Sequence, residues 1–372
     1  TAVGTGCLEA NTTGVNNTAV GYIALDSNTD GNYNVAMGYD ALGLNTGGDA
    51  NTAVGYEALD TNTTGNNNTA VGSNSMDANT TGSSNTGIGY YALLANTTGN
   101  YNTAVGRGSL DANTTGAANS ALGMYSLSEN STGDYNTAIG YEALAETTVD
   151  GNTAVGYGAG NKNTTGVGNV AVGYRARRYG TGQNYNTAIG YEAYQGANGY
   201  NSGADHNTAV GYNALKADNS GANNTAIGSY ALILVTTGNY NTAVGHAAGE
   251  AITTGHSNTI IGQEAGEDCT GDENTLIGRQ VGKEITSGGE NVMLGAGLGT
   301  FGDTLTTGSR NVLIGRNVDV GASGRNDALV ISAGNALVTD LGDGTSWIGA
   351  HDSGGSAGNM YRAQNESTWD TT

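Results

Sequence analysis

Apolar and polar positions follow one short pattern that repeats along most of the chain. Its consensus is Asn-Thr-Ala-Val-Gly-Tyr-x-Ala-Leu-x-x-Asn-Thr-Thr-Gly-x-x, and we call the apolar residue before the first Gly the anchor. Nineteen anchors run from Val3 to Ile314. Successive anchors lie 17 positions apart in fourteen of the eighteen intervals, and the other intervals are 16, 21, 16 and 20. So strict a period predicts one structural unit per repeat, each stacked on the one before.

The repeat unit is too short for a pair of helices, and Gly, Asn and Thr are poor helix formers. The Thr-Ala-Val segment predicts a short strand, and the Ala-Leu segment, such as Ala58-Leu59, predicts a second one. Asn-Thr-Thr-Gly and the Gly after the anchor predict the two bends. We therefore expect an all-β, narrow parallel β-solenoid of about 19 repeats over residues 1–320. Residues 321–372 should form a divergent C-terminal cap or neck with a polar tail.

Alternation along the strand places its first and third residues on one face and the Ala on the other. Val replaces the first-position Thr at Val35, Val170, Val292 and Val312, so we expect that face to point into the coil. The Ala would then face outward, and its uniform smallness indicates that another backbone approaches closely. The alternative is that Ala fits a crowded bend inside one chain. The residues predicted for a seam between chains are Ala19, Ala36, Ala53, Ala70 and Ala104.

Stacking of identical coils places like residues above one another. The Asn that opens each strand should form a ladder with a spacing of about 4.8 Å, its side-chain amides bonding along the stack; the alternative is a plain turn former. A row of Tyr follows the bend Gly. We expect these side chains to be half-buried by packing against one another, and the alternative is a sugar-binding face. The predicted Asn ladder consists of Asn17, Asn34, Asn51, Asn68, Asn85 and Asn102.

The repeat resembles the head repeat of trimeric autotransporter adhesins. The segments that carry the likeness are Asn-Thr-Ala-Val-Gly-Tyr-x-Ala and its variants at 169–173 and 34–38, which are similar to that family's Asn-Ser-Val-Ala-Ile-Gly motif. The resemblance covers about residues 1–320, and similar repeats occur in phage tail fibres. It implies a left-handed parallel β-roll assembled as a trimer. Together with the small Ala row argued above, this predicts a parallel homotrimer with that row at or near its seam.

Composition and net charge exclude several classes of binding partner. The chain has 64 Gly, no Pro, 12 basic and 33 acidic residues, and a net charge of −21. Such a surface repels phosphate backbones, so we expect no nucleic acid partner. No apolar run is long enough for a membrane helix, so we expect no membrane insertion by this segment. Cys7 and Cys269 lie 262 positions apart, which is neither a disulfide framework nor a metal spacing, and we expect both to be free.

Two kinds of catalytic signature are missing from the sequence. The His residues lack metal spacing, and no Gly-Lys-Ser or Gly-Lys-Thr follows a Gly-rich loop. We expect no enzyme, no metal and no cofactor. A polysaccharide-degrading solenoid would need carboxylates aligned on neighbouring coils, and we recognise no such cluster. The weak ligand-binding candidates are a basic cluster and an insertion in the longest coil: Arg175, Arg177, Arg178, Asp205 and His206.

These observations favour a non-enzymatic, extracellular fibre on a virion or bacterial surface, with a cell-surface receptor or glycan as partner. We favour a phage tail fibre, because no signal peptide or membrane anchor is seen. One alternative is the head of a bacterial trimeric surface adhesin. Another is an ice-binding solenoid, which presents Thr in a regular array; the Thr pairs of the turns, such as Thr12-Thr13, recur at the coil period but do not lie on a flat strand.

Overall fold

The computed structural model describes residues 1–196, 204–217, 220–297, 306–316 and 324–331, with three further strands within 346–371. No helix is assigned in these residues. The chain divides into two compact units, Thr1–Ile189 and Gly190–Thr372. Each is described below by itself.

The first unit is a stack of twelve short parallel strands. Each strand pairs with the next, and paired residues are 17 positions apart, except between the ninth and tenth strands, where they are 16 apart. The like-on-like register is therefore the one that the sequence period predicts. The strands are β1 (Ala2–Val3), β2 (Thr18–Val20), β3 (Val35–Met37), β4 (Thr52–Val54), β5 (Thr69–Val71), β6 (Thr86–Ile88), β7 (Thr103–Val105), β8 (Ser120–Leu122), β9 (Thr137–Ile139), β10 (Thr153–Val155), β11 (Val170–Val172) and β12 (Thr187–Ile189).

The second unit, taken by itself, is also a stack of parallel strands, eight in number. Paired positions are again 17 apart, with steps of 16 between the fourth and fifth of them and 20 between the sixth and seventh. The strands are β13 (Thr208–Val210), β14 (Thr225–Ile227), β15 (Thr242–Val244), β16 (Thr259–Ile261), β17 (Thr275–Ile277), β18 (Val292–Ala296), β19 (Val312–Arg316) and β20 (Leu329–Ile331).

Toward the C-terminus the pattern changes to an antiparallel sheet of three strands, β21 (Ser346–His351), β22 (Ala357–Ala363) and β23 (Trp369–Thr371). The domain boundary predicted at residue 320 lies outside the described residues. The nearest described strand, β20, still pairs in parallel with β19, so the parallel stack reaches at least to Ile331.

The predicted fold class is confirmed: the chain is an all-β parallel β-solenoid whose coils follow the period of the sequence repeat. The predicted second strand is wrong. Ala58-Leu59 lies in a turn rather than a strand, because Glu57 and Leu59 both adopt left-handed backbone conformations, with φ of 49° and 55°. A strand needs negative φ throughout. Each coil in the described parallel stack therefore contributes a single strand, and hydrogen-bonded turns complete it.

The core of each coil is very small. In the second coil it consists of Ala19, Ala24 and Leu25, which are fully buried, together with Asn17 and Asn28. The prediction that the strand Ala faces away from its own coil is wrong, because these side chains are completely covered within the single chain. The buried strand residues that had been assigned to a seam are Ala19, Ala36, Ala53, Ala70 and Ala104.

Volume explains why the strand residue is Ala. The Leu from the turn fills most of the coil interior, and at Gly87 an added Cβ would already lie 2.9 Å from the Met76 side chain. Where the strand residue becomes large, as at Ile260 and Leu276, the Leu position becomes Gly. An added Cβ at Gly266, for example, would lie 2.8 Å from Leu276. The two positions share one fixed volume, as close packing requires.

The Gly after the anchor makes the sharp bend. It has positive φ in every coil in which it is described, for example 133° at Gly106. The Gly of Asn-Thr-Thr-Gly makes its bend without a positive φ, as at Gly31. It is needed instead because a Cβ there would lie 2.5 Å from the carbonyl oxygen of Gly48 in the next coil.

Candidate functional site

The predicted row of strand Asn residues is buried in the coil, and its hydrogen bonds run through the backbone. The backbone N–H of Asn34 donates to Oδ1 of Asn17 at 2.9 Å, and Nδ2 of Asn34 donates to the carbonyl of Gly48 at 2.7 Å. Each carboxamide therefore accepts from the backbone N–H of the Asn in the next coil and donates to a Gly carbonyl of its own repeat, which also accepts from the turn Asn, as Gly48 does from Asn45. The same pair of bonds recurs through Asn51, Asn68, Asn85 and Asn102.

A second Asn ladder lies at the start of the Asn-Thr-Thr-Gly turn, and here the side chains bond directly to one another. Nδ2 of Asn28 donates to Oδ1 of Asn11 at 2.8 Å, and Nδ2 of Asn45 donates to Oδ1 of Asn28 at 2.8 Å. Direct bonding between side-chain amides was predicted for the strand Asn, and it occurs at the turn Asn instead. The signal for it was available, since this Asn recurs at the same period as the strand Asn.

The outer strand face consists of the first and third residues of each strand. Its third-position residues include Ile88 and Leu122, which are 40% and 51% exposed. The chain has 12 basic and 33 acidic residues, and none occupies either position from β1 to β20. Each unit therefore carries an uncharged stripe of Thr and aliphatic side chains in register along its own strands.

The Tyr column after the bend Gly is a run of stacked rings. Tyr22, Tyr39 and Tyr56 have centroids 5.4 and 5.2 Å apart and nearly parallel planes, and all three are exposed. Because neighbouring rings cover one another's faces, the column presents edges and hydroxyls to solvent. A sugar ring stacks on an aromatic face, so the inner rings of this column do not offer a platform for it.

The five weak ligand-binding candidates are not brought together as one site. Arg177 takes the Leu position of its coil and is 1% exposed. Its guanidinium donates to Oδ1 of Asn163 and to the carbonyl of Gln183 at 3.1 and 2.7 Å. It is a core residue, so its proposed ligand role is wrong.

The other candidates remain near the surface. Arg175 lies over the Tyr174 ring at 4.9 Å, and Arg178 lines a groove in the first unit. Asp205 and His206 belong to the second unit, in the segment before β13. His206 is exposed with φ of 61°.

That groove has a volume of about 270 Å³ and follows the turn face of the coils that contain β8 to β11. Small side chains, Ser128 and Ala145, line part of it, at the position that Leu94 occupies in an earlier coil. The expectation that no carboxylates align on neighbouring coils is wrong here, because Glu129 and Glu146 are aligned in that way, with Glu142 beside them. The charged and aromatic residues of the groove are Tyr125, Glu129, Glu142, Glu146, Lys162 and Arg178.

An acidic cluster lies on the turn face of the early coils. Burial, followed by the charges of Asp40 and Asp77, raises the pKa of Asp60 to about 7. Burial also raises the pKa of Asp40 and of Asp77. Among the described residues no group of three or more His, Cys, Asp or Glu has a geometry that could hold a metal ion. The cluster is therefore a site of charge repulsion.

Asp60→Asn is expected to flatten the dependence of stability on pH. Because the pKa of Asp60 is raised in the folded chain, its contribution is fully present below the ordinary Asp pKa and is lost as pH rises through about 7. The side chain is half-buried, so screening reduces the effect to on the order of 1 kcal/mol. Thermal melts at pH 5 and pH 8 should differ less for the variant than for the parent; an equal difference would contradict this assignment.

Two expectations from composition concern membrane spans and the cysteines. No helix among the described residues is long and apolar enough to span a membrane. Cys7 is partly exposed and Cys269 is buried, and both are free thiols. Burial raises the pKa of Cys269 to about 11, so its thiol stays protonated at neutral pH.

No protein-family model, no curated protein and no solved structure matches the chain.

Proposed function

We propose that the chain is the shaft of a non-enzymatic, trimeric, extracellular fibre that holds a recognition surface away from its anchor. The observation that carries this proposal is the uncharged outer strand face. The repeat's likeness to adhesin heads and phage tail fibres supports a left-handed β-roll and a parallel homotrimer. Within that class we favour a phage tail fibre, with a bacterial surface adhesin as the alternative, and a cell-surface receptor or glycan as partner.

The occupant that we assign to the outer strand face is a second and a third copy of the same chain. Twelve strands spaced about 4.8 Å apart, each about 10 Å long, make a stripe on the order of 500 Å² in the first unit. A standard interface buries ~800 Å² per partner, so neighbouring surface such as the Tyr column would add to this stripe in the assembly. A contiguous uncharged stripe of this size often marks an interaction surface. Identical parallel chains offer each other the same face under cyclic symmetry.

Ile88→Glu with Leu122→Glu is expected to convert the trimer to a monomer of 37.2 kDa. Both side chains are exposed in the single chain, so the coil itself should tolerate the change while the interface would have to bury two extra carboxylates per chain. Light scattering measures the mass. The matched control is Tyr101→Glu with Tyr135→Glu, at side chains that are 71% exposed and lie outside the strands; it should stay trimeric.

A monomeric parent, or a trimer that survives the Ile88→Glu and Leu122→Glu changes, would overturn this interface. Ice binding is the second candidate function, because Thr rows lie on the outward face of the strands, as at Thr69, Thr86 and Thr103. The strand alternation had predicted that this Thr row points inward, and its partial or full exposure shows that this is wrong. If the parent is a monomer with freezing hysteresis that the two Glu substitutions abolish, ice binding replaces the fibre.

A further inference from the structure

The groove between the coils of β8 and β11 differs in chemistry from the rest of the first unit. Only five cations occur before residue 190, and two of them, Lys162 and Arg178, line this groove. The opposite charges of Glu129, Glu142 and Glu146 line it as well. A groove that brings carboxylates, cations and a Tyr ring together offers donors, acceptors and an apolar contact at close quarters.

Part of this charge is already used within the protein. Lys162 forms an ion pair with Glu146. Nδ2 of Asn161 donates to the backbone carbonyl of Glu142 at 3.1 Å and to its carboxylate at 3.5 Å. These contacts fix two of the three glutamates in place without exhausting their acceptor capacity, since a carboxylate can accept about four hydrogen bonds.

The Glu129 carboxylate and the Arg178 guanidinium take no part in these contacts. Among the described residues, Arg178 contacts the Tyr179 ring at 5.5 Å, its Nε–H lacks an acceptor, and the Glu129 carboxylate has no hydrogen-bond partner. Two opposite charges thus line one groove without forming an ion pair with each other. A ligand that accepts from the guanidinium and donates to the carboxylate would satisfy both groups.

The charge balance selects the class of ligand. Three carboxylates disfavour an anion, and the two cations disfavour a simple cation. A neutral polyhydroxylated molecule fits, because each hydroxyl both donates and accepts. The volume of about 270 Å³ lies at the small end of ligand sites. The Tyr125 ring adds an apolar surface for ring C–H groups.

We propose that this groove binds one neutral hexose-type unit of a surface glycan. Glu129 and Glu142 accept from its hydroxyls, Arg178 donates to them, and Tyr125 packs against the sugar ring. The inference rests on the proposed function in that it gives the fibre a recognition site on its own shaft. It involves binding alone and no bond cleavage.

Saturation-transfer NMR on the purified full chain tests this site, with the methyl glycosides of glucose, galactose, mannose and N-acetylglucosamine as probes. We expect transfer to at least one of the four. Ser128→Leu should weaken its binding by about tenfold or more, because the larger side chain enters the groove; Arg178→Gln should do so by removing charged donors. Leu94 shows that the coil accepts Leu at the Ser128 position.

The matched control is Asp77→Leu, at the same position of a coil outside the groove, which should bind like the parent. The site is overturned if none of the four glycosides receives transfer, or if Ser128→Leu binds as the parent does. Molecular mass separates this result from the fibre proposal. A trimer without sugar binding would remove only the groove, and a monomer that binds sugar would remove only the fibre.

Discussion

Gly106→Ala is expected to be among the most damaging single substitutions in the chain, lowering the free energy of unfolding by about 3 kcal/mol or more. The backbone φ of 133° is strained for any residue with a Cβ, and the added atom would lie 2.7 Å from the carbonyl carbon and oxygen of Gly123. Neither obstacle can move by side-chain rotation, because both belong to backbone that pairs with the next coil. Denaturant titration followed by circular dichroism measures the loss.

Gly158→Asn is the matched control for that substitution. Gly158 also has positive φ, at 57°, but an added Cβ would meet only the Arg175 side chain, at 3.9 Å. The same position carries Asn74 at φ 52° in an earlier coil, so Asn should be tolerated within about 1 kcal/mol. If Gly106→Ala unfolds at the denaturant concentration of the parent, the bend Gly is not required by the fold.

The stacking of the fold could be predicted from the sequence because the period alone determines it. So short a unit, rich in Gly, Asn and Thr, cannot form a pair of helices, and stacking its coils covers its apolar segments. Register followed directly, since like residues pair at one period, as Ala19 pairs with Ala36.

The direction in which the strand faces could not be settled by alternation. Shifting the interpretation by one residue exchanges the two faces of a strand, and both Ala and the anchor are apolar. The presence of Val35 at a Thr position suggested the wrong face. The sizes of two positions indicate the correct face. Strand Ala occurs with turn Leu, whereas the larger strand residues Ile260 and Leu276 occur with turn Gly. This shows that both side chains fill the same interior space, although they lie far apart in the repeat.

The groove was not predicted from the sequence, for a related reason. Glu129, Glu146 and Lys162 follow one another at the coil period, so they occupy one column of the stack. Their alignment could have been found from spacing. That Ser128 and Ala145 leave room beside them depends on how the turns project, which the repeat pattern does not specify. The basic cluster at 175–178 mixed a core residue, Arg177, with a surface one, Arg178.

Asn102→Ala is expected to lower the free energy of unfolding by about 1–3 kcal/mol, because the buried backbone N–H of Asn119 loses its acceptor and the carbonyl of Gly116 keeps only Nδ2 of Asn113 as a donor. Nδ2 of Asn102 donates to the carbonyl of Gly116 at 2.7 Å, and its Oδ1 accepts the backbone N–H of Asn119 at 3.0 Å. Ala replaces neither bond and also leaves a void in a coil whose core contains few side chains. Thermal and denaturant unfolding of the variant and the parent measure the difference.

The control for Asn102→Ala removes a carboxamide from an exposed position. Asn67 is exposed with φ of 58°, and Ala50 and Ala118 occupy the same position at φ 57°, so Asn67→Ala should change stability by less than about 0.5 kcal/mol. Equal losses for the two variants would mean that any Asn in the repeat matters alike and that the ladder has no special role. A large loss at Asn102 alone would show that buried amides link each coil to the next.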